Sequence, residues 1–190
     1  YGVRSGHSVE CGEDGEGFKA EHLCGHARNV TWFDLSATTD GRAAALAKES
    51  VVEVRTHVSE WNQWDWTQQF DMVVGIFIQF VGKKQRAKQF ADMTRALRTG
   101  GRIVLHGYRP EQIGRGTGGP PTAENMYTQA ELHEVFAGWI IERSASYECD
   151  QTSGSAHVGK AALTDFIARK PEPPVWLMCL ETLPLTVWRE

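Results

Sequence analysis

The chain has 190 residues, and no apolar run in it reaches the roughly 18–20 that cross a bilayer as a helix. No membrane span and no signal peptide are expected from such a pattern. Its four cysteines, Cys11, Cys24, Cys149 and Cys179, form no CxxC pair. A chain this long can bury a core without a disulfide framework, so free thiols in a reducing cytoplasm are the expectation. Positive charge is not in excess: 20 Lys and Arg face 24 Asp and Glu, a net charge of -4. That balance lacks the footprint of a nucleic-acid binder. The one basic run, Lys83-Lys84-Gln85-Arg86 with Lys88, falls on a helical pattern and reads as a solvated face. There is no internal repeat, no G-K-[ST] phosphate loop and no full GxGxxG after the first strand. The chain begins at Tyr1 rather than Met, so a native start ahead of it is expected. Asn29-Val30-Thr31 fits a glycosylation acceptor but opens a strand pattern, which counts against that use.

What is present is an alternation of β-rich and helical segments. Ser8–Gly12 reads as a strand, Phe18–His26 as a helix, and Val30–Asp34 as a strand of β-branched and aromatic residues. Ser36 can cap a helix running to Ser50. Val51–Val58 alternates as a strand, and Phe70–Phe80 is a continuous apolar run suited to a central strand. Gln85–Arg98 carries one buried helical stripe that Gly100-Gly101 stops, and Arg102–Tyr108 follows as a strand. Thr128 and Glu131 make a capping box. Ile140–Cys149 and Ala161–Arg169 are two late strands without a full helix between them, a hairpin pattern at a sheet edge. The alternation predicts an α/β fold with a doubly wound, mostly parallel sheet. Residues 1–170 form one domain, and 171–190 an apolar tail punctuated by proline.

The chemistry starts at Glu10-Cys11-Gly12-Glu13-Asp14-Gly15-Glu16-Gly17. A strand entering a glycine turn and then a helix builds a nucleotide or adenosyl site at the carboxyl end of a parallel sheet. The acidic residues repel a pyrophosphate and suit a cationic amine or ribose hydroxyls. Seventeen residues after Gly17, Asp34 closes the second strand, where a carboxylate can accept both ribose hydroxyls. A tight turn followed by a helix-capping Asp is the alternative at these positions.

The order DGEG, TWFDLS, FDMVVGIFIQF, ALRTGG and IVLHGY resembles a class I S-adenosylmethionine-dependent methyltransferase. More narrowly, GYRPEQIGRGTGGPPTAENMYT followed by HVGKAALTDFIARKP is similar to the small bacterial tellurite-resistance and thiopurine-methyltransferase-like branch. The resemblance covers about residues 8–171. It implies a Rossmann-like sheet of seven strands whose last strand is antiparallel, and a further N-terminal helix ahead of Tyr1. It implies cofactor methionine and ribose near Asp14, Gly15 and Gly17, with Asp34 on the ribose. Adenine then lies by Leu35 and near Ser59, Glu60 and Trp61, and Ile76 and Gln79 line the reacting end. Two positions depart from the branch. Phe18-Lys19 stands where an Arg-Asn pair is usual, and Ser59 stands where an acid reads the adenine, with Glu60 beside it.

His22 and His26, four apart on a helical pattern with Cys24 between, have zinc spacing but no third ligand cluster, so no metal is expected. His106, near the end of the fifth strand, and His157, before the last, can each act as a base. So can Tyr108, Tyr127 and Glu124, around the loop Gly114–Thr128. That loop has glycine turns and a Pro120-Pro121 pair but no phosphate-loop lysine, and reads as a substrate-side lid. Trp61, Trp64 and Trp66 read as packing, because no basic groove accompanies them. The functional expectation is methyl transfer from S-adenosylmethionine to a small-molecule nucleophile such as a thiol or chalcogen compound, by a cytoplasmic monomer or homodimer. A non-catalytic or weakly active cofactor-binding relic, and a nicotinamide-binding oxidoreductase, are the alternatives.

Overall fold

The computed structural model describes residues 8–12, 29–34, 53–153 and 157–172. Seven strands form one sheet: β1 (Ser8–Gly12), β2 (Asn29–Asp34), β3 (Glu53–Val58), β4 (Phe70–Ile76), β5 (Leu97–Tyr108), β6 (Ile140–Ser153) and β7 (His157–Arg169). Their order is β3-β2-β1-β4-β5-β7-β6. The pairs among β1 to β5 are parallel, and β7 runs antiparallel to both β5 and β6. The β6–β7 hairpin therefore forms one edge, as the missing helix between those strands predicts. Two helices are described, α1 (Lys83–Arg95) after β4 and α2 (Gln129–Val135) after β5. The helical patterns at Phe18–His26 and from Ser36 lie outside the described residues.

The main core lies on the sheet face that α1 and α2 cover. Ile103 and Leu105 of β5, Phe166 and Ala168 of β7, Phe90 and Met93 of α1, and Leu132 of α2 are all buried there. Each large apolar side chain so buried contributes about 1.5–3 kcal/mol. Strand alternation puts the neighbouring residues His106, Tyr108, Leu163 and Asp165 on the opposite face. Phe33 closes one end of the core. It stacks on Trp64 at 4.7 Å and meets Trp61 and Trp66 edge-on, so the tryptophans are packing residues as expected. Trp66 Nε1 donates to Trp61 O, and Trp61 Nε1 donates to the buried Asp92 carboxylate.

Three local expectations change. The apolar run from Phe70 to Phe80 is not one strand: β4 ends at Ile76, and Phe77 turns the chain with φ 55. Continuous hydrophobicity cannot mark that end, because Ile78 and Gln79 are buried in the turn itself. Gly100-Gly101 does not stop α1, which ends at Arg95. The glycines form a bulge inside β5, where Phe70 pairs with Leu97 and Met72 already pairs with Arg102. Gly100 has φ 74, and a Cβ on Gly101 would meet Arg98 O and Asp71 O at 2.9 Å.

The basic run is not a uniform solvated face either. Arg86 is buried and donates to Glu124 O at 2.8 Å, to Met126 O at 2.9 Å and to the Glu131 carboxylate. It ties α1 to the chain entering α2. The capping box of α2 forms as its sequence predicts: Glu131 N donates to Thr128 Oγ1, and Thr128 N donates to Glu131 Oε2.

Candidate functional site

In a parallel α/β sheet, ligands bind beyond the carboxyl ends of the strands where the strand order reverses. Here that point lies between β1 and β4, the two strands from which the order runs outward in opposite directions. Gly12 and Gly75 stand side by side in register at its floor. Asp34, paired with Val58, ends the adjoining β2 and β3, and Ile76, paired with His106, ends β4. The topology thus brings Gly12, Asp34, Ser59, Ile76 and Tyr108 to one edge of the sheet, although they span a hundred residues of chain. Asp14, Gly15, Gly17 and Leu35 lie outside the described residues.

The remaining expected cofactor residues are placed as follows. Ser59 and Glu60 follow β3, where Ser59 Oγ donates to Glu60 O. Glu60 is exposed, and its carbonyl starts the turn that carries the tryptophans by accepting from Gln63 N and Trp64 N. Ile76 is buried at the end of β4. Gln79 is also buried, and both ends of its side-chain amide are engaged. Its Nε2 donates to Tyr108 O, and its Oε1 accepts from Tyr108 N, each at 2.7 Å. Gln79 therefore fastens the β4 turn to the end of β5.

The four expected substrate residues do not converge. Tyr108 is buried at the end of β5, and burial pushes its phenol up. Glu124 is exposed and lies over Gly82, the N-cap of α1. Tyr127 is the clearest correction. It is fully buried in the main core, packed edge-on to Phe90, with no hydrogen-bond partner for its hydroxyl among the described residues and its phenol pushed up by burial. His157 stands opposite Ser153 at the hairpin tip, six residues along β7 from Leu163, the partner of Tyr108. That is about 20 Å of strand.

The glycine loop is also not a free lid. Gly114, Gly116, Gly118 and Gly119 all take positive φ, which gives the loop its turns. Gln112 is buried beneath it. Its Nε2 donates to Thr117 Oγ1 and Gly118 O, and its Oε1 accepts from Ala162 N on β7. Thr117 Oγ1 donates to Lys160 O. Arg115 pairs with Glu148 across the hairpin. The loop is a wall held to the β6–β7 edge.

One charged cluster on the sheet face opposite α1 and α2 had no motif to announce it. His106 Nδ1 and Asp165 Oδ1 lie 2.8 Å apart. Arg143 donates twice to Asp165 Oδ2, at 3.1 and 2.9 Å, and Tyr147 donates its hydroxyl to Oδ1 at 3.1 Å. Burial alone would raise the Asp165 carboxyl. The hydrogen bonds from His106, Arg143 and Tyr147 outweigh it and hold the group below its ordinary value. Burial and the Asp165 carboxylate push the Tyr147 phenol up. Phe77 lies against His106 at 4.9 Å and stacks on Tyr108 at 4.7 Å. The signal available in sequence was a lone acid, Asp165, inside the apolar strand ALTDFIAR. No group of three or more His, Cys, Asp or Glu among the described residues is placed to hold a metal.

Comparison with known proteins agrees with this topology. Residues 11–101 match a family model described as a methyltransferase domain. Among proteins of curated function, none matches the chain in sequence at a significant level. Solved structures share its fold. The N-methyltransferase NodS from Bradyrhizobium japonicum superposes with TM-score 0.66 at 17% identity, over 90% of this chain and 88% of that one. NodS has also been solved with S-adenosyl-L-homocysteine. A S-adenosylmethionine-dependent methyltransferase from Methanosarcina mazei gives TM-score 0.69 at 16% identity, over 90% and 95%. TehB from Haemophilus influenzae gives 0.66 at 14%, over 87% of this chain and 58% of that one. The domain match and the shared topology agree: residues 11–101 are similar to a methyltransferase domain, and the chain has the fold of S-adenosylmethionine-dependent methyltransferases.

Proposed function

We propose that the chain transfers a methyl group to a small-molecule nucleophile beyond the carboxyl ends of β4 and β5. The observation that carries this reading is the switch point itself. Gly12 ends β1 beside β4, and Asp34 ends β2 on its other side. These positions fit the methyl donor. A glycine at the end of β1 leaves room for close backbone approach, and an acid at the end of β2 suits a ribose diol. Asp14, Gly15 and Gly17 would hold the methionine end, and Leu35, Ser59 and Glu60 would border the adenine. When bound, the donor supplies an electrophilic methyl on a sulfonium. The protein's own part is alignment and the exclusion of water. Ile76 and the Phe77 turn form the floor beneath the reacting end. The glycine loop, pinned by Gln112, is the outer wall, with Glu124 as its exposed acid.

Within the class, we assign the chain to the tellurite-resistance and thiopurine-methyltransferase-like branch. The similarity of GYRPEQIGRGTGGPP and HVGKAALTDFIARKP supports that assignment. The fold we assign is doubly wound, with residues 1–170 as one catalytic domain and 171–190 as a tail. We place the protein in the cytoplasm as a monomer or homodimer. No helix among the described residues is long and apolar enough to cross a membrane. A screen over thiols, chalcogen oxyanions and small amines, read by release of S-adenosylhomocysteine, tests the acceptor. Turnover with at least one small molecule is expected. Methylation of protein or nucleic acid alone would contradict it.

A further inference from the structure

We propose that His106 is the catalytic base of the reaction, held by Asp165, and that the acceptor is a neutral O–H or N–H nucleophile on an aromatic body. This rests on the methyltransferase reading above and deepens it.

Three independent features meet at the end of β5. First, the dyad has the geometry of a working base. Asp165 accepts from Arg143 and Tyr147 as well as from His106, and so stays ionised. An ionised carboxylate only accepts, which makes Nδ1 of His106 the donor. In its neutral form the ring then carries its lone pair on Nε2, as a base requires. Among the described residues, the ring's polar partner is Asp165 and its neighbouring ring is Phe77. Second, the dyad is at the right place. His106 pairs in register with Ile76, the last residue of β4 beside the switch point. Third, the chain is strained there. Phe77 holds φ 55, rare for an aromatic residue, and the turn presses its ring against both His106 and Tyr108. Phe77 N donates to His106 O at 2.8 Å, which fixes the turn to the base's own backbone. An aromatic wall beside a base fits an acceptor with a flat apolar body.

The groups facing His106 are Asp165 from β7, Arg143 and Tyr147 from β6, and Phe77 from the end of β4. In the step, a lone pair on the acceptor oxygen or nitrogen forms the bond to the methyl carbon. The carbon–sulfur bond breaks, and its electron pair stays on sulfur as a neutral thioether. The acceptor proton passes to His106 Nε2. The positive charge lost from sulfur reappears on the imidazolium, beside the Asp165 carboxylate. A thiolate or telluride needs no such base, so a half-buried acid holding a histidine favours a protonated acceptor.

Two measurements on the 190-residue chain test this. The first needs no substrate. Long-range ¹H–¹⁵N spectra of the neutral ring are expected to show His106 protonated at Nδ1, with that preference lost in Asp165→Asn and restored in Asp165→Glu. A ring protonated at Nε2 in the wild type would overturn the assignment. The second compares a phenol, an aromatic amine and an aromatic thiol as acceptors at about pH 9, above the usual thiol range. His106→Gln should lower kcat for the phenol or amine about 100-fold or more with KM within about threefold, the loss of a general base. Thiol methylation, if present, should change by less than about threefold. Turnover of the thiol alone, of none of the three, or of phenol and amine equally in His106→Gln, would overturn the inference. A thermal shift with S-adenosylhomocysteine in the same samples separates the cases. Where the shift is present the methyltransferase reading stands, and where it is absent that reading fails first.

Discussion

Gln79 and Tyr108 grip each other through two 2.7 Å hydrogen bonds, amide to carbonyl and amide N–H to amide oxygen, across the ends of β4 and β5. The grip closes on Gly107, where a Cβ would meet the Gln79 side-chain amide and Tyr127 Oη at 2.8 Å. It sets the turn that carries Phe77 onto His106. Gln79→Leu leaves a buried N–H and a buried C=O of Tyr108 without these partners. Each unsatisfied group costs about 1–3 kcal/mol. Urea unfolding of Gln79→Leu should show a loss of about 2–5 kcal/mol, and a change under 1 kcal/mol would mean that the pairing is replaceable.

Gln112 does for the glycine loop what Gln79 does for the β4 turn. Its amide joins Thr117, Gly118 and Ala162. In Gln112→Ala, amide hydrogen exchange over residues 113–119 should quicken about tenfold or more, while β4 keeps its protection. Equal exchange in wild type and variant would mean that the loop is held by something else.

Arg86 is the buried cation that joins α1 to the entry of α2. Its guanidinium reaches two carbonyls and a carboxylate at once, which a lysine ammonium cannot match in geometry. Arg86→Met leaves Glu124 O and Met126 O without this donor. It should cost about 2–4 kcal/mol in unfolding, with Arg86→Lys in between. A Lys variant as stable as wild type would show that only the charge matters.

Asp165 gives the stability of the fold an acid dependence. Its carboxyl is depressed in the folded chain, so folding favours the ionised form. The contribution is complete above about pH 5 and is lost as pH falls below the ordinary value of 3.8. Unfolding midpoints measured from pH 6 to pH 3 should fall less steeply in Asp165→Asn than in wild type. Parallel curves would remove Asp165 from the acid response.

The alternation of strands and helices was legible because each strand carries its own pattern. Val30 to Asp34 is β-branched and aromatic, and the capping box at Thr128 and Glu131 is local chemistry that the fold keeps. The glycine pair at 100–101 was misread for a physical reason. Glycine ends a helix and bends a strand equally well, and only the register of Phe70 with Leu97 decides between them. Tyr127 was misread because a tyrosine after a polar loop looks exposed until Arg86 and Phe90 close over it. The His106–Asp165 pair was illegible as a pair. The residues are 59 apart in sequence, and their contact follows from an antiparallel register that no local signal sets.

The most direct test of the central claim is isothermal titration of the chain with S-adenosylhomocysteine, wild type against Asp34→Ala. Saturable one-site binding is predicted, weakened about tenfold or more in the variant, as expected for lost hydrogen bonds to a charged group. No heat of binding to the wild type at millimolar ligand would contradict the claim, and so would equal affinity in Asp34→Ala.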